Sequence, residues 1–167
     1  MELRARSVLF AIAAALLGGC AAIGMARLES EKSTEADVRQ ALGEPARVFT
    51  AADGSRQLAF TSGPAGTQTH MAFLAADGRL LWLEQVLTEQ TIARISPGST
   101  TAAELERLIG PPWRKIDFAN KRAEAWDYVL QDTGGYVVDF SVMVGRDGVV
   151  TEKVYVRRML GEPGISK

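Results

Sequence analysis

Cysteine and histidine are almost missing from this sequence: across 167 residues there is one of each, Cys20 and His70. One cysteine excludes an internal disulfide and any zinc site of the cysteine-rich kind. An excess of charge is missing too. Nineteen basic residues face 20 acidic ones, so there is no electrostatic footprint for nucleic acid, and no nucleic-acid partner is expected. No apolar run reaches the roughly 20 residues that a membrane-spanning helix requires. No Gly-x-Ser-x-Gly elbow is present. Gly63-Pro-Ala-Gly66 and Gly134-Gly135 are not followed by Lys-Ser/Thr at a helix start, so they read as turns and not as phosphate loops. A Ser/His/Asp triad around His70 is formally possible, but His70 reads as a plain strand or loop residue. No catalytic residue, cofactor or metal is expected, and the chain is read as a non-enzyme.

What is present is ordinary globular material, 47% hydrophobic and 23% charged. That suits one medium domain or two small ones. The amino terminus departs from it. Arg4 and Arg6 form a positive segment, Val8 to Leu17 is uncharged and apolar, and Gly18-Gly19 are small. This is the layout of a secretory signal peptide. Leu17-Gly18-Gly19-Cys20 resembles the bacterial lipobox. That resemblance implies a diacylglycerol on the Cys20 thiol, cleavage before Cys20 and acylation, typically with palmitate, of the new amino terminus. Several acyl chains anchor a protein durably, whereas one binds only marginally. Ala21, where an inner-membrane lipoprotein of Gram-negative bacteria often has aspartate, implies the outer membrane, with the protein facing the periplasm.

Behind the anchor the chain repeats itself. Thr34-Glu-Ala-Asp37-Val38, then Ala41-Leu42-Gly43-Glu-Pro45, matches Thr101-Ala-Ala-Glu104-Leu105, then Leu108-Ile109-Gly110-Pro-Pro112. A threonine with an acid three residues on forms a capping box. The apolar residues at i, i+3 and i+4 make one helix face. Glycine then proline ends the helix. Alternating segments follow each copy: Leu58 and Phe60, then Met71 to Ala75, in the first; Trp126 to Leu130, then Tyr136 to Val144, in the second. Asp77-Gly78 and Asp147-Gly148 are hairpin turns leading to last strands, Leu80 to Leu87 and Val149 to Arg157. Period-2 alternation suits antiparallel strands covered on one side. The reading is α+β: two tandem units, each a helix plus a three-stranded antiparallel sheet in two layers, preceded by a signal helix. Residues 1–19 are the signal peptide, 20–27 a lipidated linker, 28–87 and 88–158 the two units, and 159–167 a tail. Thr88 to Ser99 reads as a short helix and a turn. Units this small are marginal alone, so they are expected to pack together.

Ile95-Ser-Pro97-Gly98-Ser99-Thr100, then Glu104-Leu105 and Leu108-Ile109-Gly110-Pro-Pro112, resembles the opening of the BamE (SmpA/OmlA) domain. The Trp126-Asp-Tyr128-Val strand, the strand around Phe140 and Asp147-Gly148-Val149 extend the likeness along 88–158. Residues 28–87 keep Leu42-Gly43-Glu-Pro45 and Asp77-Gly78 and resemble a diverged copy. Ser99 stands where the family usually has methionine. The resemblance implies a lipid-anchored protein-binding lipoprotein, with the outer-membrane assembly machinery as expected partner and a role in that assembly or in envelope integrity. Tandem units of a similar kind also occur in secreted β-lactamase inhibitor proteins, so an inhibitor or ligand-binding module is the alternative, because fold alone does not set the task.

The aromatics divide by parity. Trp126, Tyr128 and Phe140 share one face and are expected in the core. Trp82 shares the parity of Leu80 and Val86 and is expected there too. Asp127 and Asp139 fall on the opposite face and are expected to be solvated. Arg157 and Arg158 read as a solvated end. Trp113 and Arg114, beyond the two prolines, are the candidate partner-binding residues.

Overall fold

The computed structural model describes residues 24–63 and 66–158. Leu17, Gly18, Gly19, Cys20 and the tail 159–167 lie outside the described residues. The fold is α+β, with two antiparallel four-stranded sheets and few helices. Helix α1 is Glu35–Leu42, followed by β1 (Arg47–Thr50), β2 (Arg56–Thr61), β3 (Thr69–Leu74) and β4 (Leu80–Gln85), which form sheet 1 in that order. Then come α2 (Glu89–Ala93), α3 (Ala102–Ile109), β5 (Arg114–Phe118), a 3-10 turn (Ala119–Lys121), β6 (Ala123–Gln131), β7 (Val137–Gly145) and β8 (Val150–Arg157). The last four strands form sheet 2 in sequence order.

The sheets have four strands each where three were expected. The added strands are β1 and β5, directly after Pro45 and Pro112. Each is short, four and five residues, and lies at a sheet edge, so it shows little alternation. Asp53-Gly54 is the turn that returns β1 to β2, with Gly54 at φ +85°. It repeats the Ala-Ala-Asp-Gly of the later hairpin and could have disclosed β1. Sheet 2 has no such signal, because its first turn closes on Arg122 in the left-handed region.

Both long helices form for the same local reasons. Thr34 caps α1 and Thr101 caps α3, each in a reciprocal box with Asp37 or Glu104. Each cap threonine also bridges the hairpin of its own sheet, Thr34 to Arg79 and Thr101 to Val149. The Glu35 amide donates to the Gly78 carbonyl at 3.0 Å, and the Ala102 amide to that of Gly148 at 2.8 Å. The helix start and the last hairpin of each half are thereby locked together.

Each helix covers the inner face of its own sheet. Val38 packs with Leu58, Phe60, Ala72, Leu74 and Leu80. Leu105 and Ile109, with Ile92 and Ile95, pack on Trp126, Tyr128, Phe140 and Val142. The Tyr128 hydroxyl donates to the Gly110 carbonyl at 3.2 Å. Burial pushes its phenol well above 10, with Glu106 adding to the shift, so it stays a donor.

The outer face of sheet 1 is covered as well. Ala59, Met71 and Val86 are buried there with Phe49 and Phe73 against them. The cover is the second half. Arg107 of α3 lies 5.5 Å from the Phe49 ring centre, Glu106 reaches Arg47 at 3.4 Å, and Gly110 comes against Thr69 and Ala59. The order of layers is α1, sheet 1, α3, sheet 2.

Trp82 is not in the core. A β-bulge shifts the register between Phe73 and Leu74, so Leu74 pairs with Leu80 while Phe73 pairs with Trp82. The extra residue flips the parity of β4 after Leu80. Trp82 therefore stands on the outer face, 46% exposed. Sheet 2 has the matching shift between Met143 and Val144.

Gly43 and Gly110 end the two helices in the same conformation, at φ +83° and +81° with extended ψ, a region almost confined to glycine. A Cβ at Gly43 meets nothing, but at Gly110 it falls 2.7 Å from Thr69 Cγ2. Gly43→Ala is expected to cost about 1–3 kcal/mol of strain. Gly110→Ala is expected to cost about 1 kcal/mol or more beyond that, from overpacking between the halves. Urea unfolding of the two variants checks this; equal losses would show that the halves do not meet at Gly110.

Candidate functional site

Trp113 and Arg114 do come together. The two prolines end α3 and turn the chain into β5, and the Trp113 amide donates to the Asp127 carbonyl at 3.1 Å. Trp113 is 41% exposed, and the Arg114 guanidinium lies 4.5 Å from its ring centre. That arginine is not free to move. Its Nε and Nη2 donate to Asp127 Oδ2 at 2.9 and 2.7 Å, while Ser141 Oγ donates to Oδ1 at 2.6 Å. Asp127 thus departs from the expected solvated carboxylate. It is buried, because β5 and β7 flank it and bring Arg114 and Ser141 alongside. Charge-assisted bonds to both oxygens compensate its lost hydration. The result is an exposed indole with a cation fixed over it, beside a hollow of about 390 Å³ where Thr69 of sheet 1 meets Pro112 and Trp113.

The carboxy-terminal arginines are also paired. Arg157 reaches the buried Asp132 carboxylate and lies 4.7 Å from the Tyr136 ring centre. Arg158 makes two bonds to Asp139, at 2.8 and 2.6 Å. Asp139 and both arginines keep solvent contact as expected, with side chains 37–62% exposed, and β8 running beside β7 adds ion pairs that the sequence did not disclose. Hydrogen bonds from the Tyr136 and Gly134 amides, together with Arg157, hold Asp132 below the usual carboxylate range.

A larger cleft separates the outer face of sheet 1 from α3 and its approach loop, with a volume of about 670 Å³. Sequence reasoning missed it, because its walls come from strands and a helix far apart in the chain. Phe73 and Trp82 stack across β3 and β4, ring centres 4.4 Å apart and planes 17° apart. Gln57 and Glu84 stand on the same face. Opposite are Arg94 and Ser99 from the loop and Arg107 from α3. Ser99, the departure from the resembled motif, faces this space. Arg94, Arg107 and Glu84 make no ion pair among the described residues, whereas Glu104 at the rim is held by its capping box. The side-chain oxygen of Gln57 is buried without a hydrogen-bond donor among the described residues.

His70 lies on β3, half-buried, and faces Phe60 and Gln85 across the sheet. Among the described residues no three His, Cys, Asp or Glu side chains gather as a metal site needs. Among those residues, too, no helix is long and apolar enough to cross a membrane.

No protein-family profile and no curated protein matches the chain. Among solved structures, a DUF4309 family protein (YjgB) from Bacillus subtilis aligns over 79% of this chain and 83% of its own, at 19% identity and a TM-score of 0.31. A likeness that slight carries no argument.

Burial lowers the pKa of His70 from its usual 6.5. The folded protein therefore binds fewer protons here than the unfolded chain, so this group costs stability as pH falls through 6.5 toward the lowered value. His70→Asn is expected to reduce the fall in urea midpoint between about pH 7.5 and about pH 5.5. An unchanged fall would place the titration elsewhere.

Proposed function

We propose that this chain is a lipid-anchored, periplasm-facing lipoprotein of the outer membrane that binds protein, similar to BamE, and that it serves outer-membrane protein assembly or envelope integrity. On this reading Cys20 carries the lipid. The two halves are diverged copies of one helix-plus-sheet unit, and the lipobox residues Leu17, Gly18 and Gly19 direct the processing. The observation that carries the binding role is the exposed Trp113 ring with Arg114 held over it by Asp127. Rigid aromatic and arginine side chains lose little entropy on docking and dominate binding energy in protein interfaces. A ring presented beside a hollow, with its cation already oriented, suits insertion against a partner's surface.

The test uses the full-length protein extracted from membranes. Mass spectrometry is expected to find Cys20 as the acylated first residue. Co-purification is expected to recover β-barrel assembly components with wild type and to lose them with Trp113→Ala, which removes an exposed side chain. A free Cys20 thiol overturns the anchor. Recovery of a soluble periplasmic enzyme in place of assembly components supports the inhibitor reading and overturns this one.

A further inference from the structure

We propose that the cleft between sheet 1 and α3 binds an uncharged oligosaccharide, with a sugar ring stacked on Trp82. The cleft is separate from the Trp113 patch, and the proposal does not depend on that patch binding protein. Its volume of about 670 Å³ lies within the roughly 300–1,000 Å³ of small-ligand sites.

The chemistry of the walls narrows the ligand. The Glu84 carboxylate accepts hydrogen bonds and the Arg94 and Arg107 guanidinia donate them, and all three side chains are exposed at the cleft. A phosphate or other anion accepts only, and would leave Glu84 facing oxygens. An ammonium ligand donates only, and would leave both arginines unanswered. An apolar ligand would strip water from all three groups without return. A hydroxyl donates and accepts at once, so a polyhydroxylated ring can answer every one of them. The cleft also carries balanced charge, with Arg94 and Arg107 against Glu84 and Glu104, which selects for no charge on the ligand.

The platform is already in place. Trp82 is half-exposed and braced from behind by Phe73 at 4.4 Å. The bulge in β4 put it there, on the outer face, at the cost of a core position. An indole face gives the apolar C–H face of a pyranose a flat contact, while the ring's hydroxyl edges point to the polar walls.

Isothermal titration of the full chain with maltotriose and with the trimer of N-acetylglucosamine, and co-sedimentation with purified peptidoglycan sacculi, tests this. One saturable site for at least one trimer is expected. Sacculi retention in addition identifies cell-wall glycan as the source, and its absence a free oligosaccharide. Trp82→Ala is expected to weaken binding by about tenfold or more, while Trp113→Ala leaves it unchanged. Should Trp82→Ala melt below wild type, Glu84→Ala and Arg94→Ala, both exposed and unpaired, decide. The proposal is overturned if neither trimer nor sacculi bind, if binding survives all three cleft variants, or if the cleft instead takes a peptide that those variants abolish.

Discussion

Helix α3 is held from two sides, and the arrangement of the molecule depends on it. Leu105 and Ile109 face sheet 2, while Arg107 and Gly110 meet sheet 1. A helix with one apolar stripe can serve only one core. Here the opposite side supplies charge, a cation over an aromatic ring and a glycine that lets backbone approach closely. That mixed face leaves Ala59 and Met71 buried at one end and an open cleft at the other. Burial and cleft are two consequences of one docking.

The two sheets share a strand order but have different centres. Hairpin registers align Ala59 and Met71 in sheet 1 with Asp127 and Ser141 in sheet 2. In sheet 1 the pair is apolar and takes the end of α3. In sheet 2 it is polar, and Arg114 completes it. A buried carboxylate satisfied on both oxygens does not invite a helix. It fixes the guanidinium that stands over Trp113. One sheet is thus a docking face and the other a support for an exposed aromatic.

Much of this was legible in the sequence where the cause is local. The capping threonines, the glycines after each helix, the Asp-Gly hairpins and the apolar parity of β6 and β7 all act within a few residues. The parity of Trp82 misled, because a single extra residue in β4 reverses every later side chain. The partners of Asp127 were hidden, since they depend on which strand lies beside which. Strand β5 has a charged, short sequence and a first turn without glycine. The cleft was beyond reach altogether: nothing in Gln57, Trp82 or Arg94 announces that they share a space.

The two halves form one structure through α3. Urea unfolding followed at Trp82 in sheet 1 and at Trp126 in sheet 2, in chains retaining one of these tryptophans at a time, tests it most directly. A single coincident transition is expected at both probes. Two separate midpoints, with sheet 1 melting while sheet 2 stays folded, would contradict it.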